Sequence, residues 1–180
     1  LTLSIDTFRS VVANEGLDSG ADVINDISGF GIDPEIVTIA SKHNAPYILM
    51  HMRGTLETMN DDLEYSNLIA DIMKYFSKKV AFLKENGVHD IIIDPGFGFS
   101  KSIDQNYELL DSLDTFQALG HPMLVGLSRK SMIYKKMGAT PEEALKGTIE
   151  VNKIALNKGA NILRVHDVKE AKLIIDSITI

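Results

Sequence analysis

Apolar residues in this chain follow two rhythms. Short runs of three or four apolar residues, several of them β-branched, stop abruptly at a polar or charged residue. Between these runs lie longer stretches in which apolar positions recur every three or four residues. The first rhythm fits buried strands and the second fits amphipathic helices. Strands are expected at residues 3–6, 23–25, 47–50, 91–94, 123–126 and 162–165.

Helices fill the gaps. Asp33 and Pro34 read as the N-cap and first helical position of a helix carrying Ile36, Val37, Ile39 and Ala40. Residues 61–86 place Leu68, Ile69, Ile72, Met73, Phe76, Val80 and Leu83 on one stripe, which Gly87 closes. The acids of residues 61–64 suit the first turn of that helix. Asp104 opens a helix through Leu109, Leu110, Leu113 and Phe116 to Gly120. Thr140, Pro141, Glu142 and Glu143 have the form of a capping box, and Gly159 ends the helix they start. Asp167, read as an N-cap, and Glu170 begin the last helix, which carries Ala171, Ile174, Ile175 and Ile178.

Six alternations of strand and helix imply right-handed crossovers and a parallel sheet. A closed barrel and an open doubly wound sheet both fit this order, and both place function at the C-terminal ends of the strands. Those ends supply Asp6, Asn25, Met50 with His51, Asp94, the run from Gly126 to Lys130, and Arg164 with His166. Polar groups from nearly every strand favour one central mouth, hence a barrel. A complete (β/α)8 barrel has eight strands and typically about 250 residues. The expectation is therefore a single domain, residues 1–180, covering about the last six βα units. On this reading the first two units are absent, and the start at Leu1 without Met is that of a cut chain.

Composition narrows the partners. The net charge is -7 and the pI about 5.2, which argues against nucleic acid or an anionic membrane as the main partner. No cysteine is present, so disulfides and thiolate zinc sites are excluded, and a cytoplasmic location is expected. No apolar run approaches the roughly 18 residues of a membrane span. No Gly-x-Gly-x-x-Gly follows a strand into a helix and there is no P-loop, which removes the dinucleotide and Walker-type readings.

The densest signal is the run from Ile91 to Phe99: three isoleucines, Asp94, then Pro95, Gly96, Phe97, Gly98 and Phe99. A buried strand here delivers one carboxylate, which is costly unless something needs it. Asp6, Asn25 and Asp94 make a set of two acids and an amide, suited to a flat heterocycle with several N–H donors. The competing reading is that each satisfies a turn or a helix start. Lys130 is placed to hold a carbonyl oxygen or an anion. Arg164 and His166 lie two apart and so share a face, which suits an anion site for a phosphate or diphosphate; the competing reading pairs Arg164 with a rim acid and satisfies His166 by backbone. Arg129 reads as a structural ion-pair partner, and Ser131 as a cap for the next helix. Met50 suits the face of a flat ring, Phe99 either provides the other face or plugs the loop, and His51 either touches ligand or makes a structural hydrogen bond below the rim.

Taken together, these motifs resemble the dihydropteroate synthase family, over nearly the whole chain. The runs 5–9, 21–26, 50–54, 94–99, 126–131 and 164–167 are similar to that family's third to eighth strand motifs, in order. The resemblance implies a (β/α)8-barrel transferase of folate biosynthesis. Such an enzyme joins 4-aminobenzoate to 6-hydroxymethyl-7,8-dihydropterin diphosphate, gives 7,8-dihydropteroate, and is a sulfonamide target. It implies pterin binding by Asp6, Asn25, Met50, Asp94, Phe99, Gly126 and Lys130. It also implies aminobenzoate binding near Ser131 and diphosphate binding by Arg164 and His166. Asp6, Lys130, Arg164 and His166 would serve catalysis. Mg2+ is the implied cofactor, with its Asn ligand in the N-terminal part that this chain lacks, so no metal ligand is assigned here. The family is commonly dimeric, which makes a homodimer a further expectation. Ser100 stands where the family has Gly, and Gln105 where His is common.

Three rivals remain open at this point. A pterin-binding methyltransferase domain would share the two acids and the amide, but Lys130, Arg164 and His166 argue against a reaction without a leaving diphosphate. A non-catalytic pterin-binding fragment is the second. A generic phosphate-binding barrel is the third, and it leaves the acids and Asn25 unexplained.

Overall fold

The structure, a computed structural model, describes residues 1–178. Among the described residues six strands form where the apolar runs lie: β1 (Ser4–Asp6), β2 (Val23–Asp26), β3 (Tyr47–Met50), β4 (Ile91–Asp94), β5 (Leu124–Val125) and β6 (Ile162–Leu163). Their pairings are parallel. β1 to β4 form one sheet in sequence order, and β5 pairs with β6. A bridge between Ile93 and Met123 joins the two sets. Each strand thus lies beside its neighbour in sequence and the order never reverses. An open doubly wound sheet must reverse at a switch point, so this ladder is the wall of a barrel.

The alternation of strand side chains separates two apolar faces. Ile24, Tyr47, Leu49, Ile91, Ile93 and Val125 point into the main core with the helices. Val23, Ile48, Ile92 and Leu124 form a smaller cluster on the opposite, inner face. The helices of the described residues follow the strands: α1 (Ser10–Asp18), α2 (Glu35–His43), α3 (Leu68–Glu85), α4 (Ile103–Asp111), α5 (Ser131–Met137), α6 (Leu145–Asn157) and α7 (Val168–Ile178). α3 buries Leu68, Ile72, Phe76, Val80 and Leu83, the stripe expected of it.

Several helix starts differ from expectation, each for a local reason. α3 begins at Leu68, not near Asp61, because the Asn67 side chain accepts from Ala70 N at 2.9 Å. Residues 61–64 instead turn back on themselves, with Glu64 N donating to Asp62 Oδ1 at 3.0 Å. α4 starts at Ile103 behind a capping box between Ser102 and Gln105, and after Asp111 the chain tightens into a 3-10 stretch, Leu113–Leu119. Glu143 accepts from Thr140 N at 3.0 Å as the capping box requires, but α6 begins only at Leu145. Ser131 is the first helical residue of α5, and Lys130 occupies the cap position with no side-chain cap. Asp167 precedes α7, yet its carboxylate goes to Arg129, at 2.9 and 2.7 Å, rather than to the helix. A two-toothed guanidinium–carboxylate pair is the stronger partner for that acid.

Candidate active site at the strand ends

Register brings the predicted groups together. Asp6 stands opposite Asn25, and Met50 opposite Asp94. These four share the inner face with Ile48 and Ile92, because each lies an even number of residues from them or from their register partners. Asn25 Nδ2 donates to Asp6 Oδ1, and Arg164 Nη2 donates to Asp6 Oδ2 at 2.6 Å from across the mouth. Asn25 Oδ1 is buried and has no hydrogen-bond partner among the described residues. Such an oxygen is open to a donor from outside the chain; Asn152 Oδ1 on α6 is the other bare buried amide oxygen among the described residues.

Asp94 is buried, and Gly96 N donates to its Oδ1 at 2.8 Å. Burial raises the Asp94 pKa, opposed chiefly by the positive charge of Lys130. Lys130 Nζ donates to Phe97 O and lies 4.8 Å from the centre of the Phe99 ring. Burial pushes the Lys130 ammonium down to about 8, against the opposing pull of Asp94. Gly98 matters here: a Cβ on it would come within 3.1 Å of Lys130 Cδ, so the glycine leaves a lane for the lysine stem.

Two hollows open above this layer. One, of about 220 Å³, is lined by Gly126, Ser128, Lys130, Arg164, Val165 and His166. His166 Nδ1 lies 3.0 Å from Ser128 Oγ, which fixes the ring against the wall. The other, of about 420 Å³, takes in Asp6, Asn25, Phe99 and Arg164, with Phe8, Arg9, Ile27 and Leu56 among its walls. Arg164 stands between the two hollows and borders both. Met50 and Asp94 line neither; they sit buried at the strand ends. Ser131 lines neither hollow and lies at the start of α5. The polar floor and the cationic hollow together can hold a planar, donor-rich ring with an anionic group beside it.

Other groups carry more structure than their sequence signals suggested. His51 is buried, its ring edge-on to Tyr75 at 4.8 Å, and burial pushes its pKa down to about 2. It is a structural residue below the rim. Lys101, which gave no signal in sequence, is 6% exposed and touches His51 Nδ1 at 3.0 Å. Asp26 is fully buried on the helix side of β2 and accepts from Ser28 N, Ser28 Oγ, Phe30 N and Tyr47 Oη. Arg53 stacks 3.7 Å over the Tyr65 ring. Ser100 has φ 52, the left-handed conformation that favours Gly, and its hydroxyl links to Arg53 N and O at 2.8 and 2.9 Å. Those two bonds offset the strain that a side chain carries there.

Comparison with known proteins agrees with this geometry. Residues 1–166 match the family described as "Pterin binding enzyme". The chain is 45% identical over 172 residues to the dihydropteroate synthase of Synechocystis sp., covering 94% of this chain and 60% of that protein. It is 39% identical to that of Escherichia coli (strain K12), covering 93% and 60%. A solved Yersinia pestis dihydropteroate synthase with a sulfonamide drug complex superposes with TM-score 0.96 at 35% identity, covering 99% of this chain and 66% of that one. The Thermus thermophilus enzyme in complex with 6HMPPP superposes with TM-score 0.95 at 35% identity, covering 98% and 71%. The chain spans about 60% of the length of the curated relatives it matches. The unreversed strand ladder, the polar layer at its C-terminal ends and these matches lead to one assignment: the chain belongs to the pterin-binding enzymes of the dihydropteroate synthase family and forms part of their (β/α)8 barrel.

Proposed function

We propose that this chain carries the pterin and diphosphate sites of a dihydropteroate synthase. The reaction would join 4-aminobenzoate to 6-hydroxymethyl-7,8-dihydropterin diphosphate and release diphosphate and 7,8-dihydropteroate. The observation that carries this reading is the bare Asn25 Oδ1, buried beside Asp6 and within one layer of Asp94. A pterin's amino and ring N–H groups are the donors such a floor lacks. Lys130 would meet the ring's carbonyl edge, and Phe99 would cover a face. The relatives support the substrate choice: solved members hold 6HMPPP, 4-aminobenzoic acid or 7,8-dihydropteroate.

In the proposed step the aminobenzoate nitrogen attacks the exocyclic CH2 carbon. The C–O bond to diphosphate breaks and the electron pair leaves with the anion, while the nitrogen loses its surplus proton to water. Positive character grows on the pterin, where Asp94 and Asp6 oppose it, and negative charge grows on the leaving group, where Arg164 and His166 oppose it. The Asp6–Arg164 pair need not resist this. Its side chains are 56% and 60% exposed, and such pairs are worth only about 0–1 kcal/mol. Arg164 can therefore exchange Asp6 for a diphosphate oxygen. Ser131 is proposed to meet the aminobenzoate carboxylate, and sulfonamides to compete there.

Mg2+ is proposed only as a companion of the diphosphate. Among the described residues no group of three or more His, Asp or Glu side chains could hold a metal ion. No step here runs through it. A cytoplasmic location and a homodimer belong to the same proposal. No helix among the described residues is long and apolar enough to cross a membrane.

The test compares two ligands by calorimetry, 6-hydroxymethylpterin and its diphosphate. The chain is expected to bind the diphosphate at least about tenfold more tightly, as one or two charge-assisted hydrogen bonds would give. Arg164→Ala together with His166→Ala should erase the difference while leaving the unphosphorylated pterin bound. Equal affinity of the unaltered chain for both ligands would remove the diphosphate role. In the full-length protein, formation of dihydropteroate from the two substrates is the matching readout.

A further inference from the structure

The geometry points to Lys101 as a positioning residue that acts through Asp94: an ammonium beneath the site that favours the ionised Asp94 carboxylate and aims it at the pterin. This rests on the pterin reading of the site.

Lys101 is buried and forms no ion pair among the described residues. A buried ammonium without a carboxylate is costly, and an apolar residue would spare the fold that cost. Yet its surroundings are built for the charged form. An ammonium has three N–H donors. Lys101 Nζ meets three acceptors: Gly96 O at 3.0 Å, Phe99 O at 2.9 Å and His51 Nδ1 at 3.0 Å. Burial holds His51 neutral, and with its proton on Nε2 the Nδ1 lone pair would be the third acceptor.

Two of these acceptors belong to the loop that Asp94 opens. Lys101 draws the carbonyls of Gly96 and Phe99 inward, on the same segment whose Gly96 N–H holds Asp94 Oδ1. Asn106 of α4 ties the loop from the other side, accepting from Gly98 N at 2.7 Å and donating to Lys101 O at 3.2 Å. The charged and titratable groups facing Lys101 are His51 and Arg53 after β3, Asp94 at the end of β4 and Lys130 before α5. Of these only Asp94 is an anion. Burial lowers the Lys101 pKa to about 7, and Asp94 is the group that raises it. The same coupling, seen from Asp94, lowers a pKa that burial raises.

The chemical consequence is specific. A protonated Asp94 would offer an O–H donor to a ring edge that is itself made of donors. An ionised Asp94 offers only acceptors. Lys130 faces the ligand and must exchange partners when a pterin arrives. Lys101 is engaged by two carbonyls of the loop and by His51 after β3, and need not move.

The test reads ionisation directly, by carboxyl-carbon NMR of Asp94 and side-chain carbon NMR of Lys101 in the intact chain. In Lys101→Met the Asp94 midpoint is expected to move up, the direction that losing an opposite charge produces. Coupling is reciprocal, so Asp94→Asn should move the Lys101 midpoint down. Asp94→Asn keeps the shape of the side chain, so this arm decides the matter if Lys101→Met does not fold. An Asp94 midpoint unmoved in folded Lys101→Met, or a Lys101 midpoint unmoved in Asp94→Asn, overturns the proposal and leaves Lys101 a loop staple. Neither arm uses a ligand. Failure of the unaltered chain to bind 6-hydroxymethylpterin would sink the pterin reading alone, leaving the coupling result to stand or fall by itself.

Discussion

Asp94→Asn is expected to weaken binding of 6-hydroxymethylpterin at least about 100-fold while leaving the chain as stable as before, or more stable, near neutral pH. The two effects have separate causes. A carboxylate can accept two hydrogen bonds from adjacent donors on a ring edge. The amide replaces one acceptor with a donor, so one lost charge-assisted bond and one donor facing a donor together cost about 3 kcal/mol. The stability effect follows from linkage. Burial raises the Asp94 pKa above its unfolded value. Between those two values the native chain binds more protons than the unfolded chain, so stability falls as pH rises through that window. Above its unfolded pKa Asp94 is thus a net burden on the fold, and asparagine removes it. Calorimetry and thermal unfolding at pH 7 check the pair of claims. Unchanged pterin affinity would remove Asp94 from the site. A clear fall in thermal midpoint would mean that the carboxylate is structural. The broader pattern is familiar: charge is kept where function needs it and stability would prefer otherwise.

Gly96→Ala should act in the opposite sense, with the largest effect on the fold. Gly96 has φ 73, and a Cβ there would be driven into the backbone oxygen of His51. The left-handed conformation costs an alanine about 1–2 kcal/mol, and forcing apart two backbone segments adds about as much again. A loss of about 3 kcal/mol lowers the thermal midpoint of a chain this size by roughly 10 °C. The damage would also spread, because Gly96 N holds Asp94 and Gly96 O holds Lys101. Pterin binding should therefore fall with stability. A midpoint within about 2 °C of the unaltered chain would show that the loop yields more easily than this packing allows.

How much of this could be read from the chain depended on how local each cause was. The run Ile91 to Asp94 announced β4 because a strand of a parallel sheet, buried on both faces, leaves an unbroken apolar signature. The same logic made Asp6, Asn25 and Asp94 visible, since each interrupts such a run at its end. β5 and β6 were overdrawn: each is two residues long, and the flanking residues turn away into loops. The break between α4 and the 3-10 stretch was hidden in the spacing. Leu110, Leu113 and Phe116 are three apart, which suits a tight helix as well as an α-helix. Causes lying far off in sequence left no local trace. Asp167 looked like a cap because its partner Arg129 is 38 residues away. The acids at 61–64 looked like a helix start, yet Asn67 had the better cap. Lys101 was the clearest omission. A lysine in a polar stretch reads as solvated, and only the fold shows three acceptors converging on it.

The ladder of sequence neighbours has a further consequence, for the order in which the molecule is made. Asp6 and Asn25 are 19 residues apart, whereas Asp6 and Arg164 are separated by 158. In an unfolded chain, closing the longer loop costs about 2 kcal/mol more in chain entropy than closing the shorter one. Strands that zip neighbour to neighbour meet that cost in instalments, and the contact across the mouth comes after them. The walls of the barrel can therefore form while the hollow shared by Asp6 and Arg164 is still open. A ligand in the proposed site that bridged Asp6 and Arg164 would tie together distant parts of the chain.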